Sequence, residues 1–127
     1  MVRDNIAELI NGIKNAHKAG IEKLVVPYSK LVFNVLGVLE KENYVTEFSK
    51  KGKKVIKFLE VKINKEKQVT DARRVSKLSK RVYKGAHELI VNSRVNGIYV
   101  LTTPKGVMTH REAKKQNVGG ELLFRIW

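Results

Sequence analysis

The sequence predicts a two-lobed α+β protein, in which an α-β-α-β-β lobe is followed by a mainly β lobe with one short helix. Apolar residues recur at helical spacing in two segments of the first half, whereas short alternating or β-branched runs dominate the second half. A polar, charged stretch at 65–68 separates these patterns. We therefore expect an N-terminal α/β lobe over residues 1–64 and a C-terminal, mainly β lobe over residues 65–127.

The first helix is expected to begin at Asn5, because Glu8 follows three residues later as in a capping box and Asp4 adds negative charge. Gly20 is expected to end this helix. Its apolar face is formed by Ile6, Leu9, Ile10 and Ile13.

The second helix is expected to start after Ser29, a residue type that caps helix N-termini. Gly37 should weaken this helix and is expected to allow close packing. Before it, the run 24–26 is cut by Pro27, which is typical of an edge strand. Two further strands of this lobe are predicted at 44–49 and 54–63, joined by a turn at 50–53.

The second half contains strand formers in short runs, which include Val75, Val82, Tyr83 and residues 98–101. Asn96-Gly97 is a turn signal before the strand at 98–102. Thr109 and Glu112 form the pattern of a capping box and predict a short helix, which Gly119-Gly120 should terminate. Residues 121–127 alternate as a final strand.

The charge of the chain points to an acidic partner. Its 127 residues contain 26 Lys and Arg against 12 Asp and Glu, which gives a net charge of +14. Such a charge opposes folding through self-repulsion, and nucleic acid or an anionic membrane surface would offset that cost. With 43% apolar residues the chain can still bury a core. The remaining interpretation is a merely basic soluble protein.

Several functional classes are disfavoured by composition. The chain has no cysteine, which excludes disulfides, thiolate nucleophiles and Cys-ligated zinc. Its apolar runs are shorter than the roughly 20 residues of a membrane span, and its N-terminus lacks the pattern of a signal peptide. We therefore expect a soluble, intracellular chain, with no membrane partner.

Catalysis is also disfavoured. His17, His87 and His110 fall in separate segments without metal-ligand spacing, and each is interpreted as a surface or interface residue. Residues 102–106 resemble a phosphate loop faintly but lack its spacing of glycine and lysine. We expect no catalytic residues, no metal and no cofactor.

A basic cluster in the second half favours RNA. Cations follow one another between residues 73 and 84, with Ser76 and Ser79 interleaved and Tyr83 among them. Cations fix phosphates, hydroxyls donate to phosphate or ribose oxygens, and an aromatic ring stacks on an unpaired base. A solvated charged face and a core tyrosine remain the alternatives. The cations are Arg73, Arg74, Lys77, Lys80, Arg81 and Lys84.

Two further segments carry the same ambiguity. The loop 102–108 presents Thr102 and Thr103 beside Pro104, and small hydroxyls on a stiff loop suit the reading of nucleotide edges and 2′-hydroxyls. An ordinary tight turn is the alternative there. The polar face of the first helix, with Lys14 and Asn15, is either an RNA contact or a solvated surface.

A family resemblance decides among these alternatives. Residues 102–113 and 117–121 closely resemble the C-terminal signature of the ribosomal protein S8 family. Residues 74–83 resemble the stretch that precedes that signature, 4–16 resemble the family's first helix, and 29–31 resemble the start of its second. The similarity extends over essentially the whole chain.

The resemblance departs from the family pattern at two places. Thr102-Thr103-Pro104 stands where the family usually has Ser-Thr-Ser, so Pro104 removes one hydroxyl and one backbone N–H. Residues 77–79 stand where many members have Arg-Pro-Gly. The first change removes one expected hydrogen bond to RNA, and the second alters a turn.

The resemblance implies a structural constituent of the small ribosomal subunit that binds the central domain of small-subunit rRNA and supports its assembly. It implies neighbouring small-subunit ribosomal proteins as partners, and in some bacteria family members also repress their own operon mRNA. The implied location is the cytoplasmic ribosome, with an organelle ribosome as the alternative. The C-terminal lobe is the expected RNA-binding lobe and supplies the principal contacts, with support from the N-terminal lobe.

The candidate RNA-binding residues combine the basic cluster, the hydroxyl loop and positions carried over from the family. They are Asp4, Lys14, Asn15, Lys30, Arg74, Lys80, Arg81, Tyr83, Thr102, Thr103, Lys105, Gly106, Val107, Met108, Glu112, Gly119 and Gly120. Two other functions remain as rivals. A sequence-tolerant DNA-binding protein would share the charge, and a phosphate-loop enzyme would need an acidic magnesium ligand beside Lys105.

Overall fold

A computed structural model describes residues 4–52, 55–77, 79–89 and 97–127. The chain divides into two compact units, residues 1–69 and 70–127. The polar stretch that was expected to open the second lobe packs within the first unit. There His17 Nε2 lies 2.7 Å from the Lys67 carbonyl oxygen, and Lys67 Nζ lies 5.0 Å from the centre of the Tyr44 ring.

The first unit has the predicted α-β-α-β-β order and forms one antiparallel sheet with strand order β1-β3-β2. Helices α1 and α2 bury one apolar face each, and the central strand β3 contributes buried Leu59 and Val61. The elements are α1 Asn5–Ala19, β1 Lys23–Pro27, α2 Lys30–Lys41, β2 Val45–Gly52 and β3 Lys57–Ile63.

The predicted start of α1 at Asn5 is confirmed, but the capping residue lies one position earlier than the capping-box pattern indicated. Asp4, not Asn5, is the N-cap, and its Oδ1 accepts a hydrogen bond of 3.0 Å from the Ala7 N–H. A negatively charged carboxylate at this position also interacts favourably with the positive end of the helix dipole. The predicted end is confirmed, because Gly20 takes a left-handed φ of 70° and donates its N–H to Ala16 and His17.

The start of α2 is confirmed, whereas the expectation for Gly37 is wrong. Ser29 Oγ accepts a hydrogen bond of 3.1 Å from the Val32 N–H. A Cβ placed at Gly37 would meet nothing within 4 Å, so no neighbouring element packs closely there. β1 is an edge strand as predicted, and Pro27 ends it opposite Phe58.

The strand ends around the β2–β3 turn differ from the prediction. Lys50 and Lys51 were expected in the turn, but they lie in β2 and pair with Leu59 and Phe58. The pairing continues to Gly52, opposite Lys57, because the cross-strand partner decides where a strand ends. Lys53, the last residue of the predicted turn, lies outside the described residues.

Within its described residues, the second unit is mainly β, with one short α-helix as predicted and one additional turn of 3₁₀-helix. β8 lies at the centre of its sheet, with β6 on one side and both β4 and β5 on the other, and β7 pairs with β6. All these pairings are antiparallel. The elements are β4 Ala72–Arg74, β5 Tyr83–Lys84, the 3₁₀ turn Ala86–Glu88, β6 Ile98–Thr103, β7 Gly106–Thr109, α3 His110–Lys115 and β8 Gly120–Ile126.

Helix α3 starts where predicted but ends earlier. Thr109 Oγ1 accepts a hydrogen bond of 3.2 Å from the Glu112 N–H. The helix stops at Lys115, and Asn117 takes a positive φ of 56° just beyond it. Gly119-Gly120 therefore does not terminate the helix. Gly120 instead begins β8. The predicted turn before β6 includes Asn96, which lies outside the described residues.

The core of the second unit includes a cluster beneath α3, and two of the predicted strand formers pack against it without belonging to strands. Val75 and Val82 are partly buried against this cluster. The short segment between β4 and β5 joins β8 through its backbone, because the Val75 N–H donates to Leu123 and the Leu122 N–H donates to Val82. The cluster consists of Leu89, Leu101, Met108, Ala113 and Leu122.

His110 is a core residue, which contradicts its interpretation as a surface or interface histidine. The residue is 2% exposed, and its Nδ1 accepts a hydrogen bond of 3.1 Å from the Tyr99 N–H. This bond requires the neutral ring to carry its proton on Nε2. Burial lowers the pKa of His110, and the charge of Arg111 acts in the same direction.

Alanine substitution at two glycines should change the free energy of unfolding in opposite directions. Gly37→Ala in α2 should raise the free energy of unfolding by about 0.5–1 kcal/mol, because the helix gains propensity without a clash. Gly120→Ala should lower it by more than about 2 kcal/mol, because the added Cβ would lie 2.0 Å from the Thr102 carbonyl oxygen. Urea unfolding of the two variants measures both changes. Equal effects of the two substitutions would contradict the packing described for them.

The burial of His110 predicts a loss of stability in mild acid. Its pKa is lower in the folded than in the unfolded chain, so the stabilisation is complete above the ordinary value of 6.5 and declines as the pH falls below it. Protonation of Nδ1 also breaks the hydrogen bond with Tyr99. The free energy of unfolding should fall by up to about 1.4 kcal/mol per pH unit below that value.

Urea unfolding at about pH 7.5 and about pH 5.5 measures this dependence. His110→Gln should have a flatter pH profile than the unsubstituted chain. The exposed His87 provides the control, since His87→Gln should keep the original slope. A pH dependence that survives His110→Gln would show that another group is responsible.

Candidate nucleic-acid interface

The second unit has an open groove of about 590 Å³ at the start of β8. β5 and the 3₁₀ turn form one wall, and the end of β6 with the β6–β7 turn forms the other. The lining residues are Tyr83, Lys84, Gly85, Glu88, Thr102, Thr103, Pro104, Gly119, Gly120 and Glu121. The groove therefore collects candidates from three separate segments of the sequence.

The two glycines hold the walls close together. A Cβ at Gly119 would lie 2.4 Å from the Lys84 carbonyl oxygen, and one at Gly120 would lie 2.0 Å from that of Thr102. Only residues without a side chain fit between these backbones. The candidates Gly119 and Gly120 thus shape the floor of the groove.

Tyr83 offers a free aromatic surface in this groove. Its side chain stands on the two-residue strand β5, opposite Glu121, and the residue is 68% exposed. The alternative that Tyr83 is a core residue is therefore wrong. An exposed ring beside hydroxyl groups is suited to stacking on an unpaired base.

The hydroxyl of Thr103 organises the β6–β7 turn. Its Oγ1 donates to the Gly106 carbonyl oxygen at 2.8 Å and accepts from the Lys105 N–H at 3.1 Å. Gly106 takes a positive φ of 118°, and Pro104 suits the turn because its own φ is fixed. The Thr103 oxygen keeps one acceptor site, and Pro104 is compatible with the turn despite its missing N–H.

The remaining candidates of this loop have different surroundings. Met108 is 5% exposed within the core cluster, so its side chain supports the loop from below and presents no surface to RNA. Val107 is half-buried and pairs with Thr102. Lys105 is exposed at the tip of the turn, and Glu112 lies in the first turn of α3.

Sequence reasoning assigned no role to the two carboxylates of the groove, Glu88 and Glu121. Glu121 is nearly buried and pairs with the Arg81 guanidinium at 3.4 Å, so this candidate cation is held beside a carboxylate. Lys84 Nζ lies 3.8 Å from Glu88. A hydrogen bond from the Gly85 N–H lowers the pKa of Glu88, and the charges of Lys84 and His87 add to this effect. Lys84 belongs to the basic cluster of the sequence, whereas the only sequence signal for Gly85 was its nearness to Tyr83.

The other members of the basic cluster divide into free and structural groups. Lys77 and Lys80 are exposed, and their backbones form a reciprocal bridge. Arg73 pairs with Asp71 at 3.3 Å, while Arg74 is half-buried and donates to the Leu123 carbonyl oxygen.

Ser76 does not offer its hydroxyl to a ligand, which corrects the expectation for this residue. It is fully buried, and its Oγ accepts a hydrogen bond of 2.8 Å from the Val82 N–H. The same Oγ donates to the Val82 carbonyl oxygen at 3.3 Å. Ser79, in contrast, is exposed.

Four of the candidate RNA-binding residues belong to the first unit and do not line the groove. Asp4 caps α1, and its carboxylate is engaged there. Asn15 and Lys30 are exposed, whereas Lys14 is half-buried. Over the described ranges 4–52, 55–77, 79–89 and 97–127, no cluster of three or more His, Asp or Glu side chains is placed to hold a metal ion. The helices within these ranges are also too short or too polar to cross a membrane.

Comparison with known proteins agrees with the resemblance. The family model described as ribosomal protein S8 matches residues 4–127. A protein of Rickettsia typhi named small ribosomal subunit protein uS8 is 38% identical over 128 aligned positions, which cover 98% of this chain and 97% of the relative. Proteins of the same name from Rickettsia massiliae and Rickettsia rickettsii are 37% identical with the same coverage. With a family match that spans both units and relatives aligned almost end to end, the chain belongs to the ribosomal protein S8 family.

Proposed function

We propose that this chain is a structural constituent of the small ribosomal subunit and that its second unit binds the central domain of small-subunit rRNA. The observation that carries this proposal is the groove at the start of β8, which combines exposed Tyr83 with the hydroxyl-bearing end of β6. Family membership supports the ribosomal assignment.

The groove suits an irregular RNA structure better than a regular duplex. The Tyr83 ring is free to stack on an unpaired base, and Thr102 lines the opposite wall of the groove. Glu88 and Glu121 pair with Lys84 and Arg81, so these cations are neutralised and do not draw a phosphate into the groove. A base or ribose edge is therefore the expected occupant. Exposed Lys80 and Lys105 stand outside the lining set and would hold the backbone.

The same arrangement accounts for the other expected partners. An operon mRNA that presents the same irregular shape would occupy the same groove, so translational repression requires no second site. In the ribosome the chain would lie beside neighbouring small-subunit proteins in the cytoplasm. A general DNA-binding protein is the alternative function, favoured only by the net charge of +14.

Affinity measurements on a central-domain rRNA fragment, a scrambled RNA and a DNA duplex test this proposal. Tyr83→Ala should weaken binding of the central-domain fragment by about 1–3 kcal/mol, because a stacked base loses its platform. Binding of the scrambled RNA and the duplex should change little. Tyr83→Phe should retain most of the affinity, since the ring is kept.

Lys80→Gln should act differently from Tyr83→Ala. It should weaken the three nucleic acids similarly and reduce the salt slope of binding by about one unit, because a phosphate contact carries no sequence information. Lys65→Gln is the matched control, since Lys65 lies in the first unit and pairs with Glu22 at 3.7 Å. Equal affinity of the unsubstituted chain for the three nucleic acids would contradict specific rRNA recognition.

A further inference from the structure

One end of the sheet in the first unit has an unusual surface, which we call the hairpin end. It consists of Lys50, Lys51, Val55, Ile56 and Lys57. The register of the sheet places these residues together, because Gly52 pairs with Lys57 and Lys51 pairs with Phe58. The Tyr28 N–H also donates to the Lys57 carbonyl oxygen at 3.2 Å, which joins β1 to the same end.

Two consecutive aliphatic side chains are exposed at the hairpin end. Val55 is 94% exposed and Ile56 is 74% exposed, the highest values among the large apolar residues that the structure describes. Adjacent aliphatic residues with this exposure contribute nothing to the core. Their exposure is unfavourable in water and is relieved when another surface covers them.

The lysines of the hairpin end are available for an anionic partner. Among the described residues, no ion pair includes Lys50, Lys51 or Lys57. Lys50 Nζ lies 4.3 Å from the centre of the Tyr28 ring, so its charge is held at the surface. The opposite end of the same sheet differs, because Lys23 there pairs with Glu60 at 3.8 Å.

An aromatic row braces the base of the hairpin end. The Tyr28 ring lies 6.3 Å from that of Phe33 on α2, and Phe33 lies 5.2 Å from Phe48 on β2 in an edge-to-face arrangement. These contacts tie α2, β2 and the end of β1 together. The lysines therefore stand on a fixed base rather than on a free loop.

We infer that the hairpin end is a second RNA contact, in which the lysines bind backbone phosphates and the Val55-Ile56 pair covers sugar or base faces. This inference rests on the proposed function. Charge complementarity selects the partner, since no carboxylate among the described residues pairs with these lysines. Apolar wedges beside cations are also a recurrent device of nucleic-acid binding. Two aliphatic residues are too small an apolar area to hold a membrane without a further anchor.

The absence of cysteine makes a direct proximity test possible, because one introduced thiol is the only attachment point for a probe. Val55→Cys would carry a tethered iron chelate that generates hydroxyl radicals. Bound to the central-domain rRNA fragment, this protein should cleave the RNA at a defined position. Gln68→Cys, exposed elsewhere in the same unit, is the matched control and should cleave it weakly. Lys105→Cys reports on the groove.

The removal of two lysine charges provides an independent test of the second RNA contact. Lys51→Gln with Lys57→Gln should reduce the salt slope of rRNA binding by about two units. Lys23→Gln with Lys65→Gln removes the same charge from ion-paired positions, and this control should leave the slope nearly unchanged.

The outcomes separate this inference from the proposed function. Cleavage from Val55→Cys together with the reduced slope supports the second contact. Cleavage from Lys105→Cys alone, with no change in slope, overturns the second contact and leaves the groove intact. No cleavage from either position contradicts the proposed function itself. Binding to phosphatidylglycerol vesicles that requires Lys51 and Lys57, without RNA cleavage, would replace RNA by a membrane and overturn the inference.

Discussion

The second unit depends on the passage of β8 between strands on both of its sides. β8 pairs with β6 on one side and with β4 and β5 on the other. Gly119, just before β8, and Gly120, its first residue, approach the neighbouring strands so closely that a Cβ at either position would collide with their backbones. This close approach brings Tyr83 and Thr102 to opposite walls of one groove. The requirement for two small residues is therefore also what assembles the candidate site.

The distribution of charge gives the chain its functional character. Many lysines have no carboxylate partner among the described residues, whereas the groove itself contains paired carboxylates in Glu88 and Glu121. Cations without a carboxylate partner attract phosphates from outside, whereas the ion pairs within the groove leave little net charge to attract a phosphate there. This separation allows one small unit to hold an RNA backbone and present a stacking surface to its bases. It also explains how a net charge of +14 is compatible with a specific partner.

Local signals predicted the elements well and tertiary contacts poorly. Ser29 and Thr109 correctly predicted the starts of α2 and α3, because a helix cap is a local hydrogen bond. The extension of β2 through Lys50 depends on its pairing with β3, and the burial of His110 depends on Tyr99, so neither could be derived from spacing. The packing of Gly119 and Gly120 against neighbouring strands also depends on tertiary contacts, so it could not be predicted from the local sequence. The basic cluster, the hydroxyl loop and the family resemblance together supplied the site residues, while their grouping into a groove required the fold.

The most direct test of the account is an amide chemical-shift titration of the full chain with the central-domain rRNA fragment. Specific recognition predicts that the largest changes fall on amides of the groove, such as Tyr83, Thr102 and Gly120, and that they persist at higher salt. A scrambled RNA should leave those amides unchanged. Small changes spread over all exposed lysines, equal for both RNAs and lost at higher salt, would contradict the account and leave a general polyanion-binding protein.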